Sequence, residues 1–215
     1  MSSMYETIMG LPLFKGIGEE QLSLLLEKTS VEFVNCEDGE ILYQPGDNVR
    51  YLNFILNGKV RKTYKLRNFE IEISEVMGEG SVIGALHLYG LDTSYPCRVE
   101  AVGNVSIMKI AKLQYMNILH SDNIYMMNFV NYLSAASQRR TCYMLNAVSQ
   151  SINRSIGLLV NSIISSGAEA VRIEGEDSEI ARFCSVSTEE FERWKVEEFP
   201  KSTDLQRIEI TSIKK

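Results

Sequence analysis

The charge that stands out in this 215-residue chain is Arg140. It interrupts an apolar series, Met126, Phe129, Leu133, Ala136, Tyr143 and Ala147, that recurs at alternating steps of three and four. An unpaired charge in an apolar seam is costly. Arg140 therefore faces an anionic ligand, pairs with an acid such as Glu72, Glu75 or Glu79, or snorkels out to water. Other chemistry is sparse. With only His87 and His120, the chain lacks the several histidines of a metal-binding jelly roll. Cys36, Cys97, Cys142 and Cys184 lie far apart without a CxxC pair, against a disulfide framework, a zinc finger or an iron–sulfur cluster. The run Gly78-x-Gly80-x-x-x-Gly84 misses the dinucleotide fingerprint, because its third glycine comes one place late and no helix follows. No nucleophile–base pair appears, so an enzyme is not expected and no metal or cofactor is assigned.

The elements that must position these residues change period along the chain. Ile17, Leu22, Leu25 and Leu26 read as a first helix, with Glu19 and Glu20 in its opening turn. From Val31 the apolar period becomes two, through Phe33, Ile41, Tyr43, Leu52, Phe54 and Leu56. Pro45-Gly46 is a turn pair, and Asn57-Gly58 is the strongest hairpin signal, with Val60, Tyr64 and Leu66 as its return strand. Ile71 and Ile73 continue the alternation. Gly103-Asn104 reads as another turn before Ser106 to Ile110. Many short strands at this spacing predict a small sandwich or jelly-roll barrel. Helix takes over near Ser121 and runs unbroken by Pro or Gly to Asn153, long enough to pack against a second copy or along its own barrel. Ile152, Ile156, Leu159, Val160, Ile163 and Ile164 form the face of another helix, stopped at Gly167. The domain boundary falls near Gln150. With 45% hydrophobic and 23% charged residues, the chain is an ordinary globular protein. No apolar run reaches membrane-spanning length, and the opening Met-Ser-Ser-Met-Tyr-Glu is neither basic nor apolar, so a reduced, cytoplasmic protein without membrane partners is expected.

Taken in order, Pro12 to Ile17, Gln44-Pro45-Gly46-Asp47, Leu56-Asn57-Gly58-Lys59-Val60 and Gly80-Ser81-Val82-Ile83-Gly84 resemble a cyclic-nucleotide-binding-type domain. Joined to a long helix and a helical tail, the chain resembles the Crp/Fnr superfamily of bacterial transcription regulators. The resemblance implies an α+β architecture in three parts. These are a double-stranded β-helix (jelly-roll) effector domain over residues 1–120, a dimerisation helix over 121–150 and a winged helix-turn-helix over 151–215. It also implies a homodimer controlled by a small effector, reading a palindromic DNA operator and engaging RNA polymerase. Cyclic-AMP-binding members place a glutamate after a glycine and an Arg-Ser or Arg-Thr pair further on. Here Gly84 is followed by Ala85 and Leu86, and Tyr95-Pro96, ahead of Cys97, stand where the arginine pair belongs. A buried phosphate would lack its cation, so the effector is expected to be something other than cyclic AMP. Arg98 comes three positions late and falls on the opposite side of the pleat from Tyr95. Tyr95 itself is a candidate plug. The helix positions that approach the ligand in the family match Arg140 and Thr141. Oxygen-sensing members need an N-terminal cysteine cluster and haem-sensing members a roll histidine; nothing precedes Cys36, and His87 stands alone.

The tail from Ser178 to Trp194 reads as helix, turn, helix over a core of Ile180, Ala181, Val186, Phe191 and Trp194, followed by a hairpin strand at Arg207 to Ile210. Ser185 replaces the usual turn glycine, and Ser187 would cap the second helix. By the resemblance, Thr188, Glu189 and Arg193 would meet bases, with Arg193 on guanine and Glu189 on cytosine. Opposing this is a net charge of −6 for the chain. Eight acids face only three bases, Arg182, Arg193 and Lys195, between Glu176 and Phe199, a balance that disfavours phosphate contact. The alternative is a sensing or protein-contact module of the same fold that has lost DNA binding. A basic face on the folded tail would favour the regulator, an acidic one the alternative.

Overall fold

The computed structural model describes residues 4–146, 152–164, 168–197 and 208–212. The chain divides into two compact units, one of residues 1–62 and 77–136 and one of residues 63–76 and 137–215.

The first unit opens with α1 (Met4–Gly10), a 3-10 turn at Pro12–Phe14 and α2 (Glu19–Lys28). The Gly18 amide donates to the Gln21 side chain at 3.1 Å, closing the first turn of α2. The acids at Glu19 and Glu20 and Lys28 in the last turn complement the helix dipole. Strands β1 (Val31–Cys36) and β2 (Ile41–Tyr43) both pair antiparallel with a later strand, β1 in the register Val31 to Ile110 through Cys36 to Val105. Pro45-Gly46 turns the chain, with the Asp47 amide donating to Gln44 O at 3.1 Å. Strand β3 (Tyr51–Lys65) follows, and β4 (Ile71–Met77) returns beside it.

Asn57-Gly58 is not the hairpin turn that its dipeptide predicts. Strand β3 runs straight through it, and the reversal lies at Leu66–Ile71, where the Leu66 amide donates to Ile71 O at 3.1 Å. Gly58 has φ +85°, and a Cβ there would come within 2.4 Å of Asn104 O. The positive φ and the close backbone approach belong to an irregularity inside a strand, for which only glycine serves. Gly103, φ +70°, likewise sits inside a strand, not at a turn. Strand β5 (Val82–Ile83) pairs with β3, and β6 (Arg98–Ala111) lies between β1 and β3. The sheet side chains close on a core that includes Phe54, Ile83, Val99 and Ile107, with Phe14 tilted on Phe54 at 5.3 Å.

Helix α3 (Lys112–Ser121) precedes the expected long helix, α4 (Asn123–Asn146). The break falls at Asp122, whose carboxylate accepts the Ile124 amide at 2.9 Å.

The second unit contains α5 (Ile152–Ile163), β7 (Ala168–Gly175), α6 (Asp177–Cys184), α7 (Thr188–Glu197) and β8 (Ile208–Ser212). Ile152, Ile156 and Val160 on α5 meet Val171 and Ile173 on β7, Ile180 on α6 and Phe191 on α7. The stop expected at Gly167 lies outside the described residues. Strand β8 does not form a hairpin: it pairs parallel with β7, Val171 opposite Ile208. Parallel strands need a long crossover, which α6 and α7 supply. No described helix is long and apolar enough to cross a membrane.

Candidate effector pocket and helical interface

The residues that the resemblance assigns to an effector gather around Gly84. Its φ of +92° opens a 3-10 turn, Ala85–His87, and a Cβ on it would lie 3.1 Å from Tyr51 O and 3.2 Å from the Tyr95 hydroxyl. Ala85 is buried and Leu86 half-buried, so no carboxylate enters from this turn. Tyr95 is buried and stacks on Tyr43, ring centroids 4.2 Å apart. Its hydroxyl accepts from Asn53 Nδ2 at 3.1 Å, while the Tyr43 hydroxyl donates to Asn53 Oδ1 at 2.9 Å. Asn53 Nδ2 also reaches Tyr51 O at 3.2 Å. Two phenols and an amide thus satisfy one another at the place that the resemblance assigns to an effector. Burial pushes the Tyr95 phenol far above its ordinary range, and the Tyr43 phenol up as well.

Cys97 is buried beside this network, whereas Pro96 is exposed. Arg98 lies on the other side of the pleat, as alternation requires: Cys97, Val99 and Ala101 are buried, and Arg98 pairs with Glu100 at 3.2 Å. Glu100 also holds Arg61 at 2.9 Å. Sequence reasoning missed Tyr43 and Asn53. The signal for Asn53 was a polar residue set between Leu52 and Phe54 in a buried strand.

Thr141 is exposed on α4; the Arg140 side chain lies outside the described residues. Of the apolar seam, Phe129 and Ala136 are buried and Met126 and Leu133 half-buried. Phe129 packs edge-on against Tyr115 at 5.5 Å and Tyr89 at 5.9 Å, so part of the seam serves its own unit. Met127 and Val130 are the large apolar side chains that α4 exposes among the described residues. The Tyr143 side chain and Ala147 lie outside them. His87 is half-buried and His120 exposed, and no described cluster of three metal-binding side chains exists. Cys36, Cys97 and Cys184 are buried thiols outside any disulfide, and burial raises Cys184 to about 11.

In the tail, Ser185 adopts φ +60°, the left-handed conformation that ends α6. Ser187 Oγ accepts the Glu190 amide at 3.1 Å, the expected cap of α7. Thr188 is half-buried, and Glu189, Glu190, Glu192 and Arg193 are exposed. Lys195 is held by both oxygens of Asp177, at 2.7 and 2.8 Å. Arg182 is held by Glu179 at 2.6 Å and Asn68 O at 3.0 Å. Of the three bases, two are engaged within the fold. The charged side chains that α7 exposes are Glu189, Glu190, Glu192, Glu197 and Arg193, beside the apolar Val196.

The cyclic nucleotide-binding domain family matches residues 33–122. Among solved structures, Thermus thermophilus catabolite activator protein has a TM-score of 0.56 at 19% identity, over 85% of this chain and 84% of that one. The sensor domain of the transcriptional regulator DNR from Pseudomonas aeruginosa has a TM-score of 0.52 at 20% identity, over 63% of this chain and 94% of that one. The N-terminal domain of a transcriptional regulator from Streptomyces coelicolor A3(2) has a TM-score of 0.51 at 21% identity, over 66% and 97%. No curated protein matches the chain by sequence. The chain therefore carries a domain of the cyclic nucleotide-binding fold, an antiparallel sheet with helices in an α+β arrangement.

Proposed function

We propose that this protein is a Crp/Fnr-type transcription regulator, a homodimer that binds a palindromic operator under control of a small effector other than cyclic AMP. The observation that carries this is the extent of the likeness to the catabolite activator protein, which takes in 85% of the chain and so reaches well beyond the effector domain. In this reading α4 is the dimerisation helix and residues 151–215 form the winged helix-turn-helix. Effector contacts at the roll and at Arg140 and Thr141 bias the two copies of α4. That sets the recognition helices, α7, against major grooves about 34 Å apart. Ala85 and Tyr95 leave a cyclic phosphate uncompensated, and an anion buried without a cation costs several kcal/mol. RNA polymerase is the further partner, the cytoplasm the setting, and no catalysis is involved.

The test is selection of bound duplexes from a random DNA library at low and high salt. Enrichment of a two-fold symmetric site is the expected result. A second reading, a sensing or protein-contact module without DNA binding, is favoured by the engaged bases Lys195 and Arg182 beside exposed Glu189, Glu190 and Glu192. No enrichment at low salt, from protein shown to be a folded dimer, would overturn the first reading for the unliganded protein and favour the second.

A further inference from the structure

We propose that the cleft between α2, α3 and the start of α4 binds a small zwitterion with an apolar side chain, an α-amino acid of leucine size. The cleft shares no residue with the turn at Gly84, and its occupancy does not depend on DNA binding. All of its lining residues belong to the first unit. Its volume is about 340 Å³, within the range of small-ligand sites.

One wall is apolar. Helix α2 presents Leu24 and Leu25, α3 presents Ile118 and α4 presents Tyr125. Leu25, Ile118 and Tyr125 are buried, and Tyr125 is held edge-on against Phe14 at 6.2 Å. Leu24 is 49% exposed, although Leu22 and Leu25 on the same helix are buried. A leucine left half in water beside a cavity is stabilised by an apolar group that fills it.

Charges of opposite sign stand at the rim. Lys28 lies in the last turn of α2, and Asp122 separates α3 from α4. Both face the cleft, yet no ion pair joins them, and Lys28 has no bonding partner among the described residues. One Asp122 oxygen accepts the Ile124 amide at 2.9 Å; the other is unbonded among the described residues. Burial, with the Asp122 carboxylate beside it, holds the Tyr125 phenol above its ordinary range, so this charge lies next to the apolar wall. Gln114 and Asn117 on α3 add amide donors and acceptors that are likewise unbonded.

An amino acid meets these features together. Its carboxylate pairs with Lys28, its ammonium with Asp122 and the carbonyl end of α3, and its side chain covers Leu24. A fatty acid would set Asp122 against the ligand without a donor, and a simple amine would leave Lys28 without an acceptor.

Saturation-transfer NMR of the full chain tests this by reading the methyl groups of three ligands. These are L-leucine, 4-methylpentanoate, which lacks the ammonium, and 3-methylbutylamine, which lacks the carboxylate. L-leucine should bind with a dissociation constant of about 1 mM or tighter, and each analogue about tenfold more weakly. Lys28→Met should weaken L-leucine about tenfold and remove its advantage over 3-methylbutylamine. Asp122→Asn, which keeps the cap on α4, should remove the advantage over 4-methylpentanoate. Both side chains are exposed, and circular dichroism checks that both variants keep the fold. No transfer to any of the three ligands refutes the proposal, as does an analogue that binds as tightly as L-leucine. L-leucine binding that either variant leaves unchanged refutes it equally.

Discussion

Replacing Tyr95 separates a ring that is part of the core from a ring that covers an empty effector cavity. Tyr95 is 3% exposed, stacked on Tyr43, and its hydroxyl accepts a single amide hydrogen bond. Tyr95→Phe removes that acceptor but leaves Asn53 its bond to Tyr51 O. One net hydrogen bond is worth about 1 kcal/mol. Tyr95→Ala removes the ring as well, and truncating a buried aromatic costs about 3–5 kcal/mol. With an m-value of about 2.5 kcal/mol/M in urea, the midpoints should fall by about 0.4 M and about 1.6 M respectively. Urea unfolding followed by circular dichroism measures both. Because an apolar cavity left by truncation can take a ligand of matching shape, p-cresol should restore part of the stability of Tyr95→Ala and none of Tyr95→Phe. A loss below about 1 kcal/mol for Tyr95→Ala would refute the reasoning. The ring would then be a lid, and the roll would hold a ligand space that the packed arrangement hides.

Three further outcomes follow from the same geometry. Burial holds the Tyr95 and Tyr115 phenols above their ordinary range, so the fold favours the neutral form. Stability from this source is intact below pH ~10 and falls as pH rises beyond it, by up to about 1.4 kcal/mol per pH unit for each phenol, and thermal melts from pH 8.5 to 11.5 should show a slope that Tyr95→Phe flattens. Gly103→Ala pays only the left-handed penalty of about 1–2 kcal/mol, since nothing lies near its Cβ position. Gly58→Ala adds a collision with Asn104 O, so it should lose more than about 3 kcal/mol in the same urea assay; equal losses would disprove the close approach. Arg193→Ala should weaken a selected operator by about 1–3 kcal/mol, roughly ten- to a hundredfold by fluorescence anisotropy, and relax the preference at one base pair.

What the sequence disclosed was what short-range periodicity encodes. Alternation located β1 and β2, the three-and-four spacing located α5 to α7, and Ser187 was recognisable as a cap because capping needs only the next turn. That Ala85 and Tyr95 bring no charge to the turn at Gly84 was legible because it concerns residue type alone. Asn57-Gly58 misled because the dipeptide specifies a positive φ, and both a hairpin and a strand irregularity use one. The choice between them lies in Asn104, forty-six residues away in the sequence. The pairing of β4 with β7 was hidden for the same reason: Ile71 and Ile73 alternate correctly for a strand, but nothing local says that β7 is the neighbouring strand. Phe129 carries the same lesson for the long helix. Its heptad position is satisfied equally by a second copy or by Tyr89 and Tyr115 of its own unit.

The two ends of the molecule depart from the cyclic-AMP-binding pattern in a common direction. In the roll, the place that the resemblance assigns to an effector holds three neutral groups, Tyr43, Asn53 and Tyr95, whose donors and acceptors pair among themselves. In the helix pair, Lys195 is bound to Asp177 and Arg182 to Glu179 and the hairpin tip, so charge that could meet phosphate is turned inward. Neutral, mutually satisfied groups hold one geometry, whereas an empty cationic cradle repels itself until a ligand arrives. On the proposed function, regulation of such a roll would act by disturbing Tyr95 or Asn53 instead of by neutralising a charge. A helix pair with few free bases releases few counterions on binding DNA. Any operator affinity it has must then depend weakly on salt and strongly on base contacts such as Arg193.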